Sequence, residues 1–363
     1  METLILENTP ATTSTTRQQL WRYPMKTSQP VTPETLFLFY EEPDPDRWFR
    51  GDRYIRRFIR RLVRGPHQPG GVMRWYLNLR AGLDRLGVPY RINDYRGLKR
   101  TPGAWAHVVG QPHVIDKIPA GHPIVYGPAI ADHPRDSAFF GRADIRLLLI
   151  PCAWFKAMYD RDLAWAGPRA VWPAGVDTDL WQPPATPPPV DEVLLYDKIH
   201  WERDHYEPGL LQPIIDQLTK AGLKIHHLRY GFYKEEDFRD LLKRVGSMVF
   251  LCEHETQGFA YLQTLASGVP IIAWDRGGLW KDPNYYPHLV EFSPVCSVPY
   301  FDERCGVRFR DFAEFSEKLP GFLDAVARRT YRPRDYVTEN LTLTARAAAY
   351  LELCDGVKKG SGA

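Results

Sequence analysis

The chain has 363 residues, 44% of them apolar, and its 47 lysines and arginines against 44 aspartates and glutamates leave a net charge of +3. That is more apolar material than one core ordinarily organises, so two domains are expected. The near-balance of charge excludes generic nucleic-acid binding as an expectation and leaves partners to be read from local patches.

The polar stretch PATTSTTRQQ (10–19) lacks the apolar core of a signal peptide, and no run approaches the roughly 20 apolar residues of a membrane-spanning helix, so a cytoplasmic protein is expected. Residues 1–33 read as a mobile leader. From Thr35 apolar runs alternate with helical patterns: TLFLFY (35–40), a helix over 72–86, VPYRI (88–92), AHVVG (106–110), PIVYG (123–127) and RLLLIPC (146–152) leading into a further helix. A first Rossmann-like domain over 34–180 follows from this alternation.

The proline-dense WQPPATPPPVDE (181–192) fits neither a helix interior nor a central strand and is expected to link two units. The alternation then restarts over 193–340: VLLYD (193–197), a helix over 208–221, KIHHLRYG (224–231), a helix over 235–244, SMVFLC (247–252), a helix over 260–267 and VPIIAWD (269–275). The expected fold is therefore α/β, two doubly wound Rossmann-like domains facing a cleft, where ligands bind beyond the carboxyl ends of the strands. A last helical pattern, LTLTARAAAYLELC (341–354), opens a segment over 341–363 that could cross back to the first domain.

Cys152, Cys252, Cys296, Cys305 and Cys354 are odd in number and scattered, with no Cys-x-x-Cys pair, so reduced structural thiols are expected rather than disulfides or a zinc site. After the apolar run 247–252, the stretch ETQGFAYLQTLASGVP (255–270) places a carboxylate, a glycine turn and the start of a helix in succession. The first N–H groups of a helix lack intrahelical partners and can hold phosphate.

That stretch resembles the E-x7-E signature of retaining glycosyltransferases of the family 4 type, which have the two-domain GT-B fold. Glu255 matches the first glutamate, and Gln263 stands where the second is usual. GGVMRWYLNLRAGLDRLGVPYRI (70–92), VWPAGVDTDLWQP (171–183) and LRYGFYKEEDFRDLLKRVGSMVFLCE (228–253) are similar to the family's opening Gly-Gly turn and helix, its exit from the first domain, and the strand and helix before the signature.

The resemblance implies a nucleotide-sugar donor. Glu255 would meet the donor sugar and Gln263 the ribose. Tyr230, Gly231 and Phe232 would lie by the base, while Gln257, Gly258, Phe259, Gly70 and Gly71 would shape the donor site. Lys198 and Arg203, after VLLYD, would supply cations to the departing diphosphate, although their order reverses the family's Arg-x4-Lys. An ion-pair network with Glu202, Asp204 and Glu207 is the alternative for these two. A helix-dipole charge is the alternative for Glu255, a turn or cap residue for Gly258, and core packing for Tyr230 and Phe232. The family commonly carries a histidine after the PIVYG-type strand; here that position reads Tyr126-Gly127-Pro128, with His133 as a substitute or a solvated loop residue.

No essential metal and no other cofactor are expected, since Asp44-Pro45-Asp46 reads better as an acidic loop than as a metal-holding Asp-x-Asp. RWFRGDRYIRRFIRRLVRG (47–65) can form an amphipathic basic helix, suited to an anionic membrane surface or a phosphate-bearing acceptor, or to a solvated helix face. Partners are thus a nucleotide-sugar donor and a glycan or lipid-linked acceptor, with nucleic acid disfavoured. The rival reading is a GT-B scaffold that binds donor without turnover.

Overall fold

The computed structural model describes residues 35–43, 70–128, 140, 143–281 and 291–360, together with positions 49, 52 and 56. The leader 1–33, Asp44-Pro45-Asp46, His133 and all of the Arg-rich segment 47–64 except Phe49, Asp52 and Arg56 lie outside the described residues. In the first half β1 (Leu36–Phe39), α1 (Gly71–Leu86), β2 (Tyr90–Ile92), α2 (Tyr95–Lys99), β3 (Ala106–Val108), β4 (Ile124–Tyr126), β5 (Ile145–Ile150), α3 (Ala153–Asp162) and β6 (Arg169–Val171) follow in order. Their strands form one sheet in the order β2-β1-β3-β4-β5-β6, parallel throughout.

The second half comprises β7 (Glu192–Lys198), α4 (Arg203–Tyr206), a π-helical turn at Glu207–Leu211, α5 (Gln212–Lys220), β8 (Lys224–Arg229), α6 (Glu235–Leu242), β9 (Ser247–Cys252), α7 (Phe259–Ala266), β10 (Ile271–Trp274) and β11 (Gly306–Phe309). Its parallel sheet runs β11-β10-β9-β7-β8. Every residue of β9 is buried, as expected where helices cover both faces of a parallel sheet. In each sheet the second strand lies outside the first and the third lies inside it, the arrangement that opens a crevice at the carboxyl ends of the first and third strands.

Three helices complete the chain: α8 (Phe312–Ala327), α9 (Pro333–Asn340) and α10 (Leu343–Gly360). Pro320-Gly321 disguises α8 in the sequence, yet Asp311 caps it by accepting from the Glu314 amide at 2.9 Å. No described helix is long and apolar enough to cross a membrane. All five cysteines are unpaired, and four are buried.

The crossing between the domains falls earlier than the proline-dense stretch suggests. Trp172 and Ala174 pack in the first domain's core, whereas Val176 and Trp181 pack in the second's. The prolines then run over the second domain, where a Cβ on Gly246 would lie 2.6 Å from the Pro189 carbonyl oxygen. Arg334 secures this entry by donating to the carbonyls of Thr178, Trp181 and Ala266 at 3.0, 2.9 and 2.6 Å.

Helix α10 packs on α1 of the first domain. Gly82 permits the approach, since a Cβ there would lie 2.4 Å from the Leu343 carbonyl oxygen. Beneath α10, His107 of β3 pairs through Nδ1 with the Tyr350 hydroxyl at 2.8 Å. Burial, reinforced by the Lys358 ammonium, pushes the His107 pKa down to about 3 from 6.5. The unfolded chain therefore binds the extra proton first as pH falls.

Stability that His107 contributes above about pH 6.5 is lost on acidification toward about pH 3, with a slope of roughly 1.4 kcal/mol per pH unit at its steepest. Urea titrations across that range should show the decline, and His107→Gln should flatten it. An unchanged slope in the variant would assign the effect to other groups.

Candidate active site

A cavity of about 400 Å³ lies between the domains, walled on one side by Gly70, Gly71, Arg74 and Trp75 and on the other by Lys198, Glu255, Gly258 and Gln263. Its second-domain wall is the crevice of that sheet. Lys198 ends β7, and Glu255 follows β9; the two strands are neighbours although β8 separates them in the chain.

Lys198 forms an ion pair with Glu255, and its ammonium lies 4.5 Å from the centre of the Tyr230 ring. Burial works against the charge on Lys198, but the Glu255 carboxylate outweighs it, so the ammonium is held above the ordinary lysine value. The cation is thus permanent at any physiological pH.

The backbone around this pair is held from below. Glu253, wholly buried, accepts from the His200 and Trp201 amides at 3.0 Å each and so folds the chain after β7 over the end of β9. Burial raises the Glu253 pKa, with those amides opposing the rise. His254 bonds to the Lys281 backbone and stacks on Trp201, and burial pulls its pKa down to about 4, which leaves it neutral. Trp154 of the first domain donates to the Glu255 carbonyl at 3.0 Å. These contacts fix where Glu255 starts.

Gly258 then takes a left-handed conformation, φ 69° and ψ 62°, and begins α7 without any side-chain cap. Gly70 likewise precedes α1 without a side-chain cap, and neither first turn holds an acidic residue. Two helix N-termini with unsatisfied N–H groups therefore converge on one cavity beside a fixed cation, an arrangement that favours an anion. Among the described residues nothing lies within 4 Å of a Cβ placed on Gly70 or Gly71, so the space beside their backbone is open.

Gln263 lines the cavity from α7 with only 6% of its surface exposed. Among the described residues its side-chain amide has no hydrogen-bond partner. Gln257 is committed elsewhere: its amide exchanges hydrogen bonds with Ala174 N and O at 3.1 and 3.3 Å, tying the glycine turn to the first domain's exit. Phe259 meets Trp75 edge-on across the cleft. Tyr230 and Gly231 also line the cavity.

Two expected site residues are not brought there. Arg203 does not line the cavity; it grips the fully buried Asp197 with two bonds of 3.1 and 2.8 Å and reaches Glu207 at 3.0 Å. The reason is that a carboxylate at the end of a central strand needs a partner. With the Arg203 guanidinium, the His227 ring and the Ile199 amide around it outweighing the effect of burial, Asp197 is held below the usual carboxylate value. Phe232 is 79% exposed and sits under Arg229 instead of against the site.

The sequence reading missed Arg74, Trp75, Tyr196, Tyr233, Glu235 and Phe238, all of which line the cavity. Their signal was positional: Arg74 lies in the first turn of the helix after Gly-Gly, and Glu235 opens the helix after β8. Among the described residues no group of three or more His, Cys, Asp or Glu is placed to hold a metal ion.

No protein-family model matches the sequence, and no curated protein matches it. In structure the chain is similar to the Anabaena protein HepE, solved with UDP and glucose, over 89% of this chain and 99% of that one, with 10% identity and a TM-score of 0.54. It is similar also to a glycosyltransferase from Rickettsia africae, over 90% of this chain and 98% of that one, with 11% identity and a TM-score of 0.51. With its two facing parallel sheets, the chain has the GT-B fold.

Proposed function

We propose that this protein is a retaining, metal-independent glycosyltransferase that moves a sugar from a nucleotide diphosphate donor to a glycan, lipid-linked or small-molecule acceptor. The observation that carries the reading is the convergence of Lys198 and two uncapped helix N-termini on the interdomain cavity, beside Glu255. Cleaving the bond between the sugar and the diphosphate places negative charge on the leaving oxygen, and preorganised donors in a partly dry cleft stabilise it. The fold shared with a protein solved with UDP and glucose supports a nucleotide diphosphate as the charged ligand.

In this reading Lys198 binds the diphosphate, Glu255 orients the sugar hydroxyls, and Gln263 hydrogen-bonds the ribose through an amide that has no partner among the described residues. Retention follows the resemblance to family 4: the departing phosphate takes the acceptor's proton on the face it leaves, so one C1–O bond breaks and another forms there. Glu255→Ala is expected to lower turnover of a UDP-sugar by at least about tenfold, with folding intact by circular dichroism and with wild-type activity unchanged by EDTA. Activity that disappears with EDTA would reject metal independence.

Gln263 and the Gly127-Pro128 step in place of the family's histidine favour a second reading, a donor-binding scaffold. UDP binding with no turnover for any acceptor would select it. The Arg-rich segment 47–64 suits an acceptor presented at the cytoplasmic face of an anionic membrane. Sedimentation with phosphatidylserine-containing vesicles but not with neutral ones is the expected result, and equal binding to both would remove that part of the proposal.

A further inference from the structure

Lys198 is not matched by Arg203 in the cavity, because Arg203 is spent on Asp197 and Glu207. The cation on the opposite wall is Arg74. It reaches from the first turn of α1, its guanidinium lies 5.8 Å from the centre of the Phe259 ring, and Phe259 is the first residue of α7. Arg74 therefore lies beside the side chain of the first residue of the uncapped helix whose N-terminus the proposed donor phosphates would approach. It is held there by an ion pair with Glu235, which also lines the cavity and belongs to the second domain. Tyr233, bonded to Tyr196 at 2.7 Å, is within the electrostatic reach of both Lys198 and Arg74.

We propose that Arg74 is the second diphosphate-binding cation, held at rest by Glu235 and handed to the donor when it binds. This rests on the reading of the cavity as a nucleotide-sugar site. Each wall of the cavity brings one cation, and both cations are neutralised by carboxylates of the second domain: Lys198 by Glu255 and Arg74 by Glu235.

A diphosphate carries more than one negative charge, and a guanidinium presents a planar fork that binds two phosphate oxygens at once. Exchanging Glu235 for phosphate leaves no stranded carboxylate, because Glu235 is the first residue of α6 and remains favoured by that helix's N-terminal dipole. The same exchange replaces an ion pair between the domains with a ligand held from both. Arg74 thereby does from the first domain what a basic residue after β7 was expected to do from the second.

The test is calorimetric titration of the full chain with uridine and with uridine, adenosine and guanosine diphosphates, the tightest diphosphate and its nucleoside being carried into the variants. Arg74→Gln should weaken the diphosphate by about tenfold or more, the worth of a charge-assisted bond, and leave the nucleoside within about twofold. Glu235→Gln should tighten the diphosphate severalfold by removing its competitor. In the double variant that gain should vanish, since there is no longer a cation to release.

If Arg74→Gln binds the diphosphate as wild type does while Lys198→Ala loses it, or if Arg74→Gln weakens nucleoside and diphosphate equally, Arg74 is only a strut between domains and the inference falls. If Lys198→Ala leaves diphosphate affinity intact, or if no diphosphate binds the wild type, the donor-site reading falls and this inference falls with it.

Discussion

Lys198→Ala is expected to lower kcat/KM for glycosyl transfer by about 10²- to 10³-fold, the usual loss when one preorganised donor to a developing anion is removed. Among the described residues the side chain has no substitute on its own wall, because Arg203 is bound to Asp197 and does not line the cavity. Its charge is secure, because the Glu255 carboxylate outweighs burial and holds the ammonium in place.

The substitution has a second consequence. Glu255, with about 15% of its side chain exposed, is left as a largely buried carboxylate without its partner, at a stability cost of about 1–3 kcal/mol. Combining Lys198→Met with Glu255→Gln should restore most of that stability and none of the activity. Urea midpoints and steady-state rates on the same samples separate the two effects. A single variant that keeps wild-type kcat/KM would remove Lys198 from the chemistry.

Gly258→Ala is the substitution expected to damage the fold most for its size. The residue has φ 69°, where a side chain is strained, and its Cβ would lie 2.1 Å from the Tyr261 ring. Tyr261 cannot step aside: it is fully buried, packs on Phe250, and accepts from the Tyr300 amide at 3.0 Å. A loss of about 2–4 kcal/mol is expected, read as a lower urea midpoint. Because Gly258 also sets the direction in which α7 points its free N–H groups, diphosphate affinity should fall as well under conditions where the variant remains folded. An alanine variant as stable as wild type would mean that the turn relaxes into another conformation.

Much of the fold was legible because a parallel sheet writes itself as repeated buried runs. TLFLFY, PIVYG, RLLLIPC, VLLYD and SMVFLC all contain strands, and the helices between them carry the expected apolar periodicity. Helix α8 was not legible, since Pro320-Gly321 reads as a break. The passage between domains was misplaced for a related reason: prolines signal that a segment is neither helix nor strand, and they do not say which surface it covers.

The sequence by itself determined that Lys198 ends one strand, that Glu255 follows another, and that a glycine turn opens a helix between Glu255 and Gln263. Strand order decided that Lys198 and Glu255 touch, because β9 lies beside β7 although β8 comes between them in the chain. Domain packing decided that Arg74 joins them from more than a hundred residues away in the chain, and the burial of Asp197 at the end of β7 decided that Arg203 is claimed within the second domain. Local patterns specify conformation, since it depends on neighbours along the chain. The pairing of charges depends on which strands and domains meet, and no local pattern records that.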